Sequence, residues 1–414
     1  MKKHIPELVA PAGSMETLIA AYEHGADCAY VGVGSTNLRA FAPSLTLEQL
    51  PEALTLAHEL KRKLIVVLNS MPDQHQLSEM ERTVRGLGSA KDRPDAVVIS
   101  DPGVLMLFRQ YAPDIRLHLS TQTGTFNLAA ARFWKQQGIS RIVLPRELSL
   151  HQIEEITAKA GVETEVFVHG AMCVSIAGRC LLGSYLSGRH PNHGACPQPC
   201  RLRYKIAPMD HGGESSEQQW LEAEEDENGT YLLNAKDLNS LPILDSLVDT
   251  GVSALKIEGR NKSVHYISAV VRVYREALNN IKATGSCKLT DEHVRQLEML
   301  DHRTYTTGFY GADRLLQEHR FSKVASKLRL VGVVKGMQPD GDAVVDVKNP
   351  FECGESLDLL PVNHNTEPGA VTVDSITDLN GNPLQRALTN RIVFIRTQRR
   401  LRTGDLIRRV KAGE

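Results

Sequence analysis

The sequence predicts an α/β fold: a (β/α)8 TIM-like barrel with a Cys-rich insertion, followed by a small C-terminal all-β barrel domain. Three observations carry this. Short Val-, Ile- and Leu-rich runs alternate with helical stretches through most of the 414 residues; the alternation breaks once, at a segment holding four of the seven cysteines; and after about Ser326 the helical pattern stops. These place the barrel at 1–325, its insertion at about 171–229 and the β domain at 326–414.

The first strand-like run, 8–10, leads through Pro11-Ala12-Gly13-Ser14 into a helix ending near Glu23. Further runs follow at 28–32, 63–69, 96–100, 116–120, 141–144 and 164–168. Between them lie helical segments at 47–61, 77–86, 104–111, 128–137 and 150–160. Strands separated by helices form parallel βα units with both sheet faces covered. Repeated this often they suggest a closed barrel, with a doubly wound open sheet as the alternative. Two more units, 231–234 before helix 240–250 and 254–257 before helix 264–283, bring the strand candidates to nine. A barrel needs eight, so one is expected to lie outside the ring or cap it. In the β domain, runs at 330–334, 343–347, 356–360, 370–376 and 392–395 are punctuated by Gly336, Asp340-Gly341, Asn380-Gly381 and Thr403-Gly404, which read as turns.

Composition narrows the class. A formal net charge of −1 with 42% hydrophobic and 23% charged residues excludes a disordered chain and a wholesale polyelectrolyte binder. No apolar run of about 18 residues exists, so no membrane-spanning helix is expected. Glu7 and Pro11 interrupt any leader-like apolar stretch, and a cytoplasmic location is expected. The charge is unevenly spread. Seven acidic residues and no Lys or Arg occupy 214–227, which reads as a solvated loop. Residues 384–411 hold eight Arg and one Lys against Asp405, a net of +8. That segment is either a solvated edge surface or a phosphate-contacting face.

The strongest chemical signal is Cys173, Cys180, Cys196 and Cys200, spaced C-x6-C-x15-C-x3-C. An odd cysteine total in a reducing compartment argues against a disulfide framework. Clustered thiols there point to a soft metal site. Zinc favours closer pairs than the first one here, whereas an iron–sulfur cluster tolerates wider spacing; a coincidental group of packed thiols is the remaining reading. Cys28, Cys287 and Cys353 are scattered, and Cys28 reads as a small buried hydrophobe. The first clustered cysteine follows the run 164–168, at the C-terminal end of a strand, where barrel active sites are built.

Polar residues recur at the other strand ends. Asn69, Ser100-Asp101, Ser120-Thr121-Gln122, Arg146-Glu147, His169, Asn234, Lys236, Asp237, Lys256, Glu258 and Arg260 together describe a polar rim over a barrel mouth, although each alone is as readily a cap or a structural hydrogen-bonder. His169, Lys256 and Glu258 are the candidate catalytic groups. Arg146, Arg260, Asn234, Lys236 and Asp237 are candidate substrate ligands, with Arg146, Lys256 and Arg260 suited to carboxylates. The sequence has no H-E-x-x-H, G-x-S-x-G, P-loop or G-x-G-x-x-G motif, so nothing supports zinc-helix proteolysis, nucleotide hydrolysis or dinucleotide binding.

The stretch from Glu165 through Val166-Phe167-Val168-His169-Gly170-Ala171-Met172 to Cys173, with Gly178-Arg179-Cys180-Leu181-Leu182, resembles the signature of the collagenase-like U-32 peptidase family. Gly183 stands where that signature usually has Ser, with Ser184 next to it. The likeness extends along the chain through Pro6-Glu7-Leu8, Ser100-Asp101-Pro102-Gly103, Arg146-Glu147-Leu148, Gly229-Thr230-Tyr231, Asn234-Ala235-Lys236-Asp237 and Leu255-Lys256-Ile257-Glu258-Gly259-Arg260. Within the family it is most similar to prephenate-dependent tRNA uridine 5-hydroxylases. The resemblance implies that Cys173, Cys180, Cys196 and Cys200 bind a 4Fe–4S cluster. It further implies that prephenate is a co-substrate and that the wobble uridine of tRNA is hydroxylated to 5-hydroxyuridine. Peptidase activity and a non-catalytic RNA-binding role are the alternatives.

Overall fold

A computed structural model describes residues 3–34, 37–38, 43–204, 232–311, 316–318 and 320–411. The acidic run 214–227, Gly229-Thr230-Tyr231 and the start of the expected strand 231–234 lie outside the described residues. In chain order the first ten strands are β1 (Glu7–Ala12), β2 (Cys28–Gly32), β3 (Lys63–Leu68), β4 (Ala96–Ile99), β5 (Leu117–Leu119), β6 (Arg141–Val143), β7 (Glu163–Ala171), β8 (Asp237–Asn239), β9 (Ala254–Ile257) and β10 (Tyr305–Thr306). Strands β1 to β7 pair in sequence, all parallel, and β9 closes the ring by pairing with both β7 and β1. This is the expected eight-stranded barrel.

The surplus strand is resolved differently from the expectation. Asn234 is not in a strand. The pairing segment begins at Asp237, runs antiparallel to the end of β7 and carries β10 on its other edge, outside the barrel. An antiparallel strand cannot join a parallel ring without reversing its connection, so β8 caps the barrel rather than completing it.

Helices cover the outside, and their starts explain part of the polar rim. Asp101 accepts the backbone N–H groups of Gly103 and Val104 at 2.7 and 3.1 Å, capping Pro102–Tyr111. The expected helix 240–250 is a 3-10 turn, Leu241–Ile243, followed by the short helix Leu244–Asp249. The helix Val264–Thr284 is buried along most of its length because it lies between the barrel and the β domain. Inside the ring, Val9, Cys28, Tyr30, Ile65, Val67, Ala96, Val98 and Ala254 pack together, the alternate residues of their strands.

The β domain is a closed antiparallel barrel of Leu328–Met337, Ala343–Val347, Ser356–Leu360, Gly369–Thr377, Ile392–Thr397 and Leu406–Val410. The last strand is missed by the sequence reading because Arg408 and Arg409 mask its alternation. Arg408 is fully buried, donating to Asp358 and, at 2.9 Å, to Gln296 of the barrel domain. Arg272 answers from the other side, donating to the carbonyls of Pro361, Asn363 and Thr366.

Of the two readings of 384–411, a solvated edge surface and a phosphate-contacting face, several arginines fit the first. Arg386 faces Glu352, Arg396 pairs with Asp342, Arg399 donates to the carbonyls of Glu367 and Ala370, and Arg409 pairs with Glu355. Five of the eight arginines in 384–411 are thus engaged within the domain.

A candidate active site at the barrel mouth

The C-terminal ends of the barrel strands surround a cavity of about 320 Å³. Its floor follows from strand parity. Glu165, Phe167 and Lys256 point inward from β7 and β9, level with Tyr30 of β2. Lys256 Nζ donates to Glu165 Oε1 at 2.8 Å and sits 4.4 Å from the centre of the Tyr30 ring. Glu165 in turn lies 3.4 Å from Arg141 Nη1, and Arg141 reaches Glu7 and Glu163 at the opposite end of the ring. A column of alternating charge therefore runs along the barrel axis and ends in a cation at the cavity floor. Burial pushes the Glu165 carboxyl up, but the positive charges of Lys256 and Arg141 outweigh it and hold it down at about 2.

Arg146, Glu147, Glu258 and Arg260 line the cavity wall. The Arg146 guanidinium stacks 3.9 Å from the Phe167 ring centre and donates to Ala171 O at 2.8 Å; its buried Nε has no hydrogen-bond partner among the described residues. Glu147 accepts the Ala177 N–H at 2.6 Å, tying the wall to the cysteine segment. The Tyr30 hydroxyl donates to Ile257 O at 2.9 Å and lies 3.5 Å from Glu258 Oε2. Arg260 donates to Asn37 Oδ1 at 2.6 Å and passes over Gly32, where a Cβ would come within 2.1 Å of its Nη1. Gly170 has φ +103°, and a Cβ there would meet Glu258 O at 2.5 Å, so only glycine lets β7 pass this close to the Glu258 backbone.

All four clustered cysteines line this same cavity, and all are free thiols. Burial pushes the Cys200 thiol up; Arg201 opposes the rise, and neighbouring Cys173, Cys196 and Cys180 add to it. Asn192 fixes the segment by accepting the Cys180 N–H at 3.1 Å and donating to Gly178 O at 3.2 Å. The Leu182 N–H points at Cys180 Sγ, 3.3 Å away. Among the described residues, no three His, Cys, Asp or Glu side chains converge closely enough to hold a single ion.

Several expected site residues lie elsewhere. His169 does not line the cavity. A register shift between Phe167 and His169 turns it out among the rings of Tyr266, Tyr274 and Tyr305, where burial lowers its pKa to about 3. Asn234 donates to the carbonyls of Glu318 and Phe321, and Asp237 pairs with Arg303 at 2.6 Å. Lys236 donates its backbone N–H to Leu316 O at 2.8 Å. These three brace the segment around β8, and their neighbour Ala235 is the one that reaches the cavity. Conversely, Tyr30, Glu165 and Phe167 were missed as site residues. The available signal was a carboxylate at the start of the apolar run Val166–Val168, two residues before Phe167 on the same face.

Known proteins resemble this chain over both domains. The pattern of peptidase family U32 matches residues 13–319, and that of the peptidase family U32 C-terminal domain matches 326–408. The chain is 35% identical to tRNA hydroxylation protein P of Escherichia coli K12, covering 87% of each chain. It is 34% identical to the 23S rRNA 5-hydroxycytidine C2501 synthase of the same organism over 68% of this chain and 40% of that one. It is 29% identical to a protein named collagenase from Porphyromonas gingivalis W83, over 80% of each. A family pattern spanning the barrel, its cysteine segment and the β domain alike leaves one conclusion: the chain belongs to peptidase family U32.

Proposed function

We propose that this protein is an RNA-modifying hydroxylase that converts the wobble uridine of tRNA to 5-hydroxyuridine, with prephenate as co-substrate and a 4Fe–4S cluster held by Cys173, Cys180, Cys196 and Cys200. The observation that carries the reading is the meeting of four cysteines and buried cations on one cavity, in a chain whose relatives are named for hydroxylating RNA. The four sulfurs share a cavity without converging on one point. In a cluster each thiolate takes a different iron, so four cysteines spread around one cavity fit it. Bound there, the cluster would supply an electron-transfer and Lewis-acid centre in the cavity wall.

The remaining roles fall to the chain itself. Replacing C5–H by C5–OH is a two-electron oxidation of the base, so an oxygen donor must be consumed and a proton removed. Prephenate is the donor in this reading: its ring C–OH bond breaks as the C5–O bond forms, a proton equivalent to the one lost from C5 ends on the prephenate ring carbon, and the prephenate skeleton leaves reduced by two electrons. Its two carboxylates match the Arg146 guanidinium, with its unpartnered Nε, and the Lys256 ammonium. In this reading Glu258, in the cavity wall, takes the C5 proton, and the Tyr30 and Phe167 rings, which also line the cavity, bed the base. Glu165 fixes the position of Lys256.

The test is nucleoside mass spectrometry of tRNA from a deletion strain complemented with wild type or Cys173→Ala. Restoration of 5-hydroxyuridine derivatives by wild type alone is expected; equal restoration by both would sink the role of the cysteines. Omitting prephenate from the purified reaction should abolish the product. The relative named collagenase gives peptide hydrolysis as a second reading, which predicts gelatin cleavage that survives cysteine substitution.

A further inference from the structure

A second cavity, of about 570 Å³, lies between the barrel and the β domain, beside the mouth. Gly13 and Ser14, after β1, and Lys262 and Ser263, after β9, form its barrel side, so it opens at the same C-terminal face as the first. Arg260 lines both cavities.

The β domain supplies Arg329, Lys348 and Lys411 to the opposite wall. Arg329 and Lys411 are exposed, and neither has an ion-pair partner among the described residues. Lys348 is shared by Glu16 at 2.9 Å and Asp346 at 3.0 Å, and Lys262 donates to Asp301 O at 3.0 Å. The lining therefore holds five cationic side chains against the carboxylates of Glu16 and Asp301. The helices Met15–Glu23 and Val264–Thr284 both begin at this cleft, from their caps Ser14 and Ser263, and turn the positive ends of their dipoles towards it.

We propose that this cleft binds the phosphate backbone of the RNA strand beside the reacting base. A base entering the cysteine-lined cavity then leaves its flanking phosphates between the two domains, within reach of Arg329 and Lys411. The inference rests on the RNA-hydroxylase reading and adds to it the path of the strand. It also moves the nucleic-acid contact away from the C-terminal arginines, five of which are engaged by carboxylates or carbonyls of their own domain.

The test uses the full-length protein and unmodified tRNA from a deletion strain. Binding is measured against salt concentration for wild type, for Arg329→Glu with Lys411→Glu, and for Arg391→Glu with Arg400→Glu. The last pair changes the net charge equally at exposed positions outside the cleft. The cleft variant should lose roughly tenfold or more in affinity, and its slope of log K against log salt should shrink by about one or two, while the outside variant stays within about twofold of wild type. All four positions are exposed, so a melting curve matching wild type confirms folding. Equal losses in both variants, or none in the cleft variant, would overturn the cleft while leaving the hydroxylase reading intact. Wild type that binds no tRNA would sink the tRNA reading and the cleft together.

Discussion

Two regions of this molecule are rich in cations, and they use them in opposite ways. In the C-terminal barrel Arg386, Arg396, Arg399, Arg408 and Arg409 point at carboxylates and carbonyls of their own domain, and Arg408, the most buried, joins that domain to the helix Asp291–Glu298 through Gln296. At the mouth of the N-terminal barrel, Lys256 and Arg146 are held from behind, by Glu165 and by Ala171 O, with the cavity before them. The difference teaches that a cation's role is set by what satisfies it. A guanidinium satisfied by its own fold is a brace, whereas one buried with a donor to spare is poised for an anion.

The sharpest way to break the contrast is to remove the mouth cations. Lys256→Met combined with Arg146→Gln should lower prephenate-dependent hydroxylation by about 100-fold or more, since each would stabilise charge in a water-poor site. Folding stability should fall far less, because Arg141 still faces Glu165 at 3.4 Å. A large drop in the denaturation midpoint with activity retained would make these residues braces too.

The reverse result is expected for Arg408→Met. Asp358 would be left buried without its main partner, which costs about 3–5 kcal/mol in chemical denaturation. Activity of the protein that remains folded should persist. An unchanged stability would remove the distinction between the two regions.

A smaller, graded effect is expected from pH. Burial lowers the pKa of His24, His118, His169 and His265 to about 3. Between the ordinary value of about 6.5 and 3 the unfolded chain binds protons that the folded one refuses. Stability should therefore be full above about pH 6.5 and decline steadily below it. Glu276 is pushed up by burial but held at about 2 by hydrogen bonds from His293 and His364 and by Arg272. Its contribution is present above its ordinary value of about 4.5 and is lost as pH falls towards 2. Thermal melts from pH 8 to 4 check the sign; stability rising on acidification would contradict it. The smallest effect belongs to Arg396→Gln, which breaks an exposed pair with Asp342 and should leave the melting temperature unchanged within error.

Much of the fold was legible before any coordinates. Strand and helix runs of the first 170 residues land within a few positions of the observed elements, because a parallel strand buried on both faces must be a continuous apolar run. The cysteines were legible too, as were Arg146, Lys256, Glu258 and Arg260, each falling just past or near the end of a barrel strand. His169 was misplaced by one irregularity in register, which sends a side chain to the other face and leaves no mark in composition. The final strand was missed because its arginines read as surface.

The order of elements, the cysteine spacing and the positions of strand ends are local properties, written in runs of neighbouring residues. The sequence by itself therefore determined the two barrels and the face on which chemistry is built. Which charges are free is a matter of distance between residues far apart in the chain: Lys256 and Glu165 are separated by 91 positions, Arg408 and Asp358 by 50. Only the tertiary structure decided that Arg408 and Arg409 near the end are braces within their domain, that the mouth holds the poised cations, and that a second cationic cleft lies between the domains.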